Sequence, residues 1–192
     1  MSKKEETSWS QLNKFLSAKT ENADEIIKES KKRAAKYLAA SSETSRSRRK
    51  IMQETILPRV AAYAVLKESG LPADEIMGSY TKESVGPMMH DMYSKLEKVP
   101  FFFDIYKRIF IKATNKSDAW ECHSKAKKNK FKTDIYKCLW NDTCRECGYP
   151  EACRFFCECD NYTYGNLKKM GFKRTQTLGT GGSKCDFLFY RK

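Results

Sequence analysis

The sequence predicts an α+β fold: a helical N-terminal part packed with a C-terminal antiparallel sheet of about four strands, with helices inserted between two hairpins. Three observations carry this expectation. Before about residue 118, apolar residues recur at helical spacing. Beyond it, short runs rich in aromatic and β-branched residues alternate with Gly- and Lys-rich turns. The composition, 40% hydrophobic and 12% aromatic, supplies enough apolar side chains for a core and excludes a chain disordered throughout. At 192 residues the chain reads as one compact domain, with a helical part at 1–118 and an α+β part at 119–192.

Residues 22–40, NADEIIKESKKRAAKYLAA, read as an amphipathic helix capped by Asn22. Three further stripes follow: Met52, Ile56, Val60 and Tyr63; Met89, Met92, Tyr93 and Leu96; and Phe102, Ile105, Tyr106, Ile109 and Phe110. Their spacing places each set on one helix face, and the faces are expected to pack as a bundle core rather than line a ligand pocket. Gly70 ends one helix, Pro72 opens the next, Pro58 kinks or restarts a long one, and Val99-Pro100 separates the last two.

After residue 118, AWECHSK and FKTDIYKCLW flank a Lys-rich turn in which Asn129 suits a left-handed position. FKRTQTLGT and SKCDFLFYRK flank Gly181-Gly182 as a second hairpin. The segment between the hairpins has helical character, interrupted at Gly148-Tyr149-Pro150 and ended by Gly171.

The opening MSKKEETSWSQ has no apolar signal-peptide core, and no later apolar run approaches the roughly 20 residues that span a bilayer. A soluble, cytoplasmic protein with no membrane partner is expected. In a reducing cytosol the eight cysteines are free thiols unless they bind metal or do chemistry. The net charge of +13 gathers in SRSRRK at 45–50 and KAKKNKFK at 125–132. Neither run interleaves aromatic residues, so a solvated basic surface is expected and nucleic acid is not.

The densest chemistry lies in CRFFCECDNYTYG at 153–165. Cys144 and Cys147 form a C-x-x-C, and Cys153 and Cys157 share a helix face, so four thiolates holding zinc or an iron–sulfur cluster form one alternative. The irregular spacing weighs against it, and no metal or other cofactor is expected. Cys138, Cys153 and Cys185 read equally as small buried hydrophobes. Cys157 differs because Asp160 follows one helical turn later, where a carboxylate can hold water or a substrate amine near the sulfur. His90 falls at a core edge among methionines, and His123 points away from Cys122 on its strand, so no Cys-His or Ser-His-Asp arrangement is legible.

The run from Cys138 to Tyr190 resembles the C-terminal half of the L-2-amino-thiazoline-4-carboxylic acid hydrolase family. The elements that carry the likeness are Cys138 after the second strand, Cys157 with Asp160 three residues on, RTQTL at 174–178, a Gly-rich turn and CDFLF at 185–189. The resemblance implies a small-molecule substrate whose thiazoline ring opens at its amidine-like carbon to give a carbamoyl-cysteine. It implies Cys157 and Asp160 as catalytic residues and Cys138, Trp140, Arg174, Thr175, Thr177 and Cys185 around the substrate. Cys157 attacks directly if local positive charge lowers its pKa, or shapes the pocket while Asp160 activates water. Arg174 is a candidate clamp for the substrate carboxylate. Strand alternation, however, puts Thr175 and Thr177 on one face and Arg174 on the other. The strand–helix–strand layout is also similar to the 4-vinyl reductase type of domain, which leaves a binding or sensing module without turnover as the alternative.

Overall fold

Residues 2–192 are described by a computed structural model. Its first helix, α1 (Lys3–Ser17), starts where the Ser2 hydroxyl accepts the Glu5 amide, and it buries Trp9, Leu12, Phe15 and Leu16 at helical spacing. α2 (Ala23–Ala40) turns Ile26, Ile27 and Ala34 inward. Asn22 holds the cap position of α2 but makes no side-chain cap, and Asp24 and Glu25 in the first turn complement the positive helix end instead. After α3 (Arg46–Ile51), residues Met52–Ile56 form one wide turn with i→i+5 hydrogen bonding before α4 (Leu57–Glu68). A second wide turn, Thr81–Val85, separates α5 (Ala73–Tyr80) from α6 (Gly86–Leu96).

Each wide turn lies just ahead of a proline in the first turn of the next helix, Pro58 and Pro87. Proline lacks the N–H for an i→i−4 bond and its ring crowds the carbonyl four residues back, so the widened turn absorbs the mismatch without breaking the rod. Pro58 therefore interrupts the helix by widening it. The stripe Met52, Ile56, Val60 and Tyr63 stays buried through the interruption.

α7 (Phe102–Lys116) leads into β1 (Trp120–Ala126) and β2 (Lys130–Cys138). α8 (Leu139–Glu146) and α9 (Cys153–Tyr164) precede β3 (Met170–Lys173) and β4 (Cys185–Arg191). The four strands form one antiparallel sheet in the order β1-β2-β4-β3. This is the α+β arrangement the sequence predicts, with helices between two hairpins. The chain divides into two compact units, one of residues up to Tyr80 with Asp142–Ala152, the other of Thr81–Asn141 with Cys153–Lys192.

Within the first unit, Glu68 accepts both Arg33 guanidinium nitrogens at 2.7 Å and the Tyr149 hydroxyl at 2.6 Å, while Glu146 accepts from Ser41 and Ser42. These bonds fasten the 142–152 segment onto α2 and α4.

In the second unit, the register pairs Phe131 with Phe189 and Ile135 with Cys185 on the inner face of the sheet. Phe131 and Phe189 stack at 4.9 Å, and Phe103, Tyr106 and Phe110 of α7 and Tyr164 of α9 close over them. Glu97, buried between α6 and α7, accepts the amides of Lys168, Lys169 and Met170 and so fixes where β3 begins.

Several sequence expectations change. β3 ends at Lys173, so residues 174–178 are not a strand. The Asp186 carboxylate accepts the amides of Thr175 and Gln176, each at 2.9 Å, and takes the place of the sheet ladder there. The helical stretch ends at Tyr164, and Gly171 lies inside β3 beneath the Tyr190 ring. Asn129 is not left-handed: among the described residues Phe101 is the only non-glycine with positive φ, at 56°. Met92 and Leu96 of α6 and Ile105 and Ile109 of α7 are exposed rather than part of a bundle core.

Glu97→Ala leaves three backbone amides without an acceptor. Urea unfolding should show a loss of about 1–3 kcal/mol, with Glu97→Gln recovering part of it.

Candidate functional site

α9 carries the cysteine cluster because its apolar residues hold it on the second unit. Cys153, Phe155, Thr163 and Tyr164 are buried, which leaves Cys157 and Asp160 on a neighbouring, partly open strip. Opposite them, the chain leaving β3 passes as an irregular segment before a short 3₁₀ turn, Leu178–Thr180.

Arg174 turns onto α9. Its guanidinium nitrogen Nη1 donates to Asp160 Oδ2 at 3.0 Å and to the Cys157 carbonyl at 2.9 Å, and Nη2 reaches Asn161 Oδ1 at 3.5 Å. The Arg174 side chain is 9% exposed and that of Asp160 is 30% exposed. The rings of Phe172 and Phe187 lie 5.9 and 5.8 Å beneath the guanidinium. The alternation expected for Arg174, Thr175 and Thr177 does not operate outside a strand. Arg174 and Thr177 both turn toward α9, while Thr175 bonds outward to Asp186 and is exposed. The fork of Arg174 is thus already engaged by the protein.

The electrostatics follow from this confinement. Burial pushes the Asp160 carboxyl up to about 7, and the Arg174 charge and hydrogen bond only partly oppose the rise. Cys157 moves well above the usual thiol range, through its hydrogen bond with Cys153 first and burial second, with Thr177 pulling weakly the other way. Local positive charge does not activate this sulfur, because Arg174 is spent on Asp160. Burial raises Cys138 to about 12 and Cys185 to about 11, and the Cys185 sulfur accepts the Leu178 amide at 3.3 Å.

The structure therefore gathers Cys157, Asp160, Arg174 and Thr177 into one site, with Cys138 and Cys185 close enough to the Cys157 sulfur for their charges to interact. Trp140 stacks on Trp120 at 5.1 Å with rings nearly parallel, and Thr175 braces Asp186. Sequence reasoning missed Gly179 and Asp186 as parts of the site. A Cβ on Gly179 would lie 2.7 Å from Cys153 Sγ and 2.8 Å from Cys157 Sγ, so glycine is what lets the 3₁₀ turn close onto both thiols. The signal for it was the Gly-rich turn itself.

His90 bonds the Thr163 carbonyl and the Ser94 hydroxyl, each at 3.1 Å, and His123 is exposed on β1. All eight cysteines are free thiols, and among the described residues no group of three or more His, Cys, Asp or Glu side chains is arranged to hold a metal ion. Among the described residues no helix is long and apolar enough to cross a membrane.

Comparison with known proteins adds the following. No curated protein matches the chain. Two solved structures are similar over most of their length: the Fe(II) unliganded H-NOX protein from K. algicida, at 9% identity, TM-score 0.41 and coverage of 97% of this chain and 95% of that one; and a point mutant of that same H-NOX protein, at 9% identity, TM-score 0.35 and coverage of 84% and 86%. Likeness this weak carries no argument. The sequence profile of the L-2-amino-thiazoline-4-carboxylic acid hydrolase family, in contrast, matches residues 48–189, which include every residue of the site above. On that match over most of its length, the chain belongs to the L-2-amino-thiazoline-4-carboxylic acid hydrolase family.

Proposed function

We propose that this protein opens the ring of a small thiazoline carboxylate by hydrolysis at the amidine-like carbon, with Asp160 as the group that moves the proton. The supporting observation is the Asp160–Arg174 pair: a crowded carboxylate, still partly open to solvent and raised to about 7, changes protonation at the pH where it has to work. Family membership supports a hydrolase-like reading.

In the ionised form Asp160 takes a proton from water as the water oxygen bonds to the ring carbon and the C=N π pair moves onto nitrogen, from which it re-forms the double bond when the centre collapses. The resulting tetrahedral centre collapses, the ring bond to the leaving heteroatom breaks with its electron pair, and protonated Asp160 returns the proton to that atom. One water is consumed and a carbamoyl-cysteine is released. Arg174 positions Asp160 and keeps its pKa from rising further. The protonated Cys157 thiol shapes the pocket wall and is not the attacking group, since a thiol held above its usual range is a poor nucleophile. Thr177 and Gly179 hold that sulfur in place.

Asp160→Asn should abolish thiazoline turnover while the protein stays folded. Cys157→Ser should slow it by about tenfold or less, because no covalent intermediate is lost. Loss of all activity in Cys157→Ser, with a trapped acyl-type adduct in the wild type, would instead make Cys157 the nucleophile.

The pH profile is the second test. Wild-type kcat/KM should rise with pH through an inflection near 7, as Asp160 loses its proton. Arg174→Met removes the charge that favours the carboxylate and should move that inflection upward. Stability carries the same signature. A carboxyl raised from about 4 unfolded to about 7 folded binds more protons in the native state, so its contribution declines as pH rises between those values. That decline should be shallower in Asp160→Asn.

Gly179→Ala tests the packing alone. It drives a methyl group into two sulfurs and should lower stability by about 1–3 kcal/mol in a thermal or chemical melt.

A further inference from the structure

Seven of the nine large apolar side chains exposed among the described residues fall in one stretch, Met88 to Ile109. On α6, Met88, Met92 and Leu96 recur every fourth residue along one flank and are 43–46% exposed. On α7, Ile105 and Ile109 do the same at 42% and 62%. The two stripes run into the turn between the helices, where Val99 is 43% and Phe101 77% exposed. Spacing by four keeps each stripe on a single helix face, while Tyr93, Phe102 and Tyr106 face inward and pack on one another. The outward apolar side chains are therefore additional to the core.

Phe101 is also the only non-glycine residue with positive φ among the described residues, at φ 56° and ψ 24°. A bulky aromatic side chain is strained there and glycine is not. Phe101 neither caps α7 through its side chain nor fills the core, so nothing inside the fold repays the strain. Around the apolar strip the exposed charges are mostly cationic. Lys95 and Lys98 flank the turn, and Arg108 and Lys112 follow Ile105 and Ile109 by three positions on α7. Asp91, paired with Lys95 at 2.6 Å, is the anionic exception on α6.

We propose that the α6–α7 turn is a docking surface for an anionic lipid bilayer, with Val99 and Phe101 entering the headgroup boundary and Lys95, Lys98, Arg108 and Lys112 meeting the lipid charge. Charge decides among the occupants. Two copies of a chain carrying +13 would press one basic rim against another, whereas a negatively charged bilayer complements it. An exposed aromatic tip between two apolar stripes and beside cationic side chains suits a yielding interface of this kind. The surface is separate from the Asp160 site, and the proposal does not depend on the reaction assigned there.

The test is co-sedimentation of the full chain with vesicles of phosphatidylcholine alone and of phosphatidylcholine with one-third phosphatidylserine. Binding should require the anionic lipid and weaken as salt is raised. Phe101→Gly keeps every charge, relieves the left-handed backbone and should melt no lower than the wild type, yet bind the mixed vesicles about tenfold more weakly. Ile109→Gln, at an exposed position, should weaken binding in the same direction. The proposal is overturned if the wild type ignores the mixed vesicles or if both variants bind them as the wild type does. It is also overturned if the wild type forms a lipid-free dimer that Phe101→Gly disperses.

Discussion

The ion pair between Asp160 on α9 and Arg174 after β3 is the interaction on which the arrangement of the second unit's site depends. β3 ends at Lys173, and Arg174 leaves it on the side of Phe172, where its guanidinium reaches Asp160 of α9. The amides that would have paired in a longer strand are taken by Asp186, and the chain then closes as a 3₁₀ turn with Gly179 against two sulfurs. A charged pair in so crowded a place contributes little net stability, since desolvation offsets most of the attraction. Deleting either partner alone is worse, because it strands the other. Such a pair is better understood as an orienting device than as a source of stability.

Burial raises the Asp160 carboxyl, the hydrogen bond with Cys153 and then burial raise the Cys157 thiol, and the chemical consequences are opposite. Raising a carboxyl to about 7 brings it into the range of useful proton transfer. Raising a thiol from its ordinary value takes it out of that range. The roles proposed for Asp160 and Cys157 rest on these two shifts together with the geometry of the Arg174 pair.

Much of this was legible in the sequence, and the failures have physical reasons. The switch from helical to strand periodicity near residue 118 marks a real change, with α7 ending at Lys116 and β1 starting at Trp120. Cys157 and Asp160 were readable because a helix has a fixed period. α1 was missed although Trp9, Leu12 and Leu16 carry helical spacing, because Lys3, Lys4, Glu5 and Glu6 ahead of them and polar residues such as Gln11, Asn13 and Lys14 among them lower its mean hydropathy. Thr177 was grouped with Thr175 and away from Arg174 because alternation holds only within a ladder. The end of that ladder is set by Asp186, twelve residues on, which no local pattern announces. The exposed flank of α6 failed differently: periodicity identifies an apolar face but not whether anything in the same chain covers it.

The raised thiols bear on how the protein meets reagents and oxidants. Alkylating agents and peroxide attack the thiolate; burial holds Cys138, Cys147 and Cys185 toward the protonated form, and the hydrogen bond with Cys153 together with burial does so for Cys157. Iodoacetamide at neutral pH would modify these four slowly while the fold is intact and readily once it opens. Alkylation of these positions then reports unfolding rather than the chemistry of the site, and these four of the eight cysteines are, while the fold is intact, less open to oxidation.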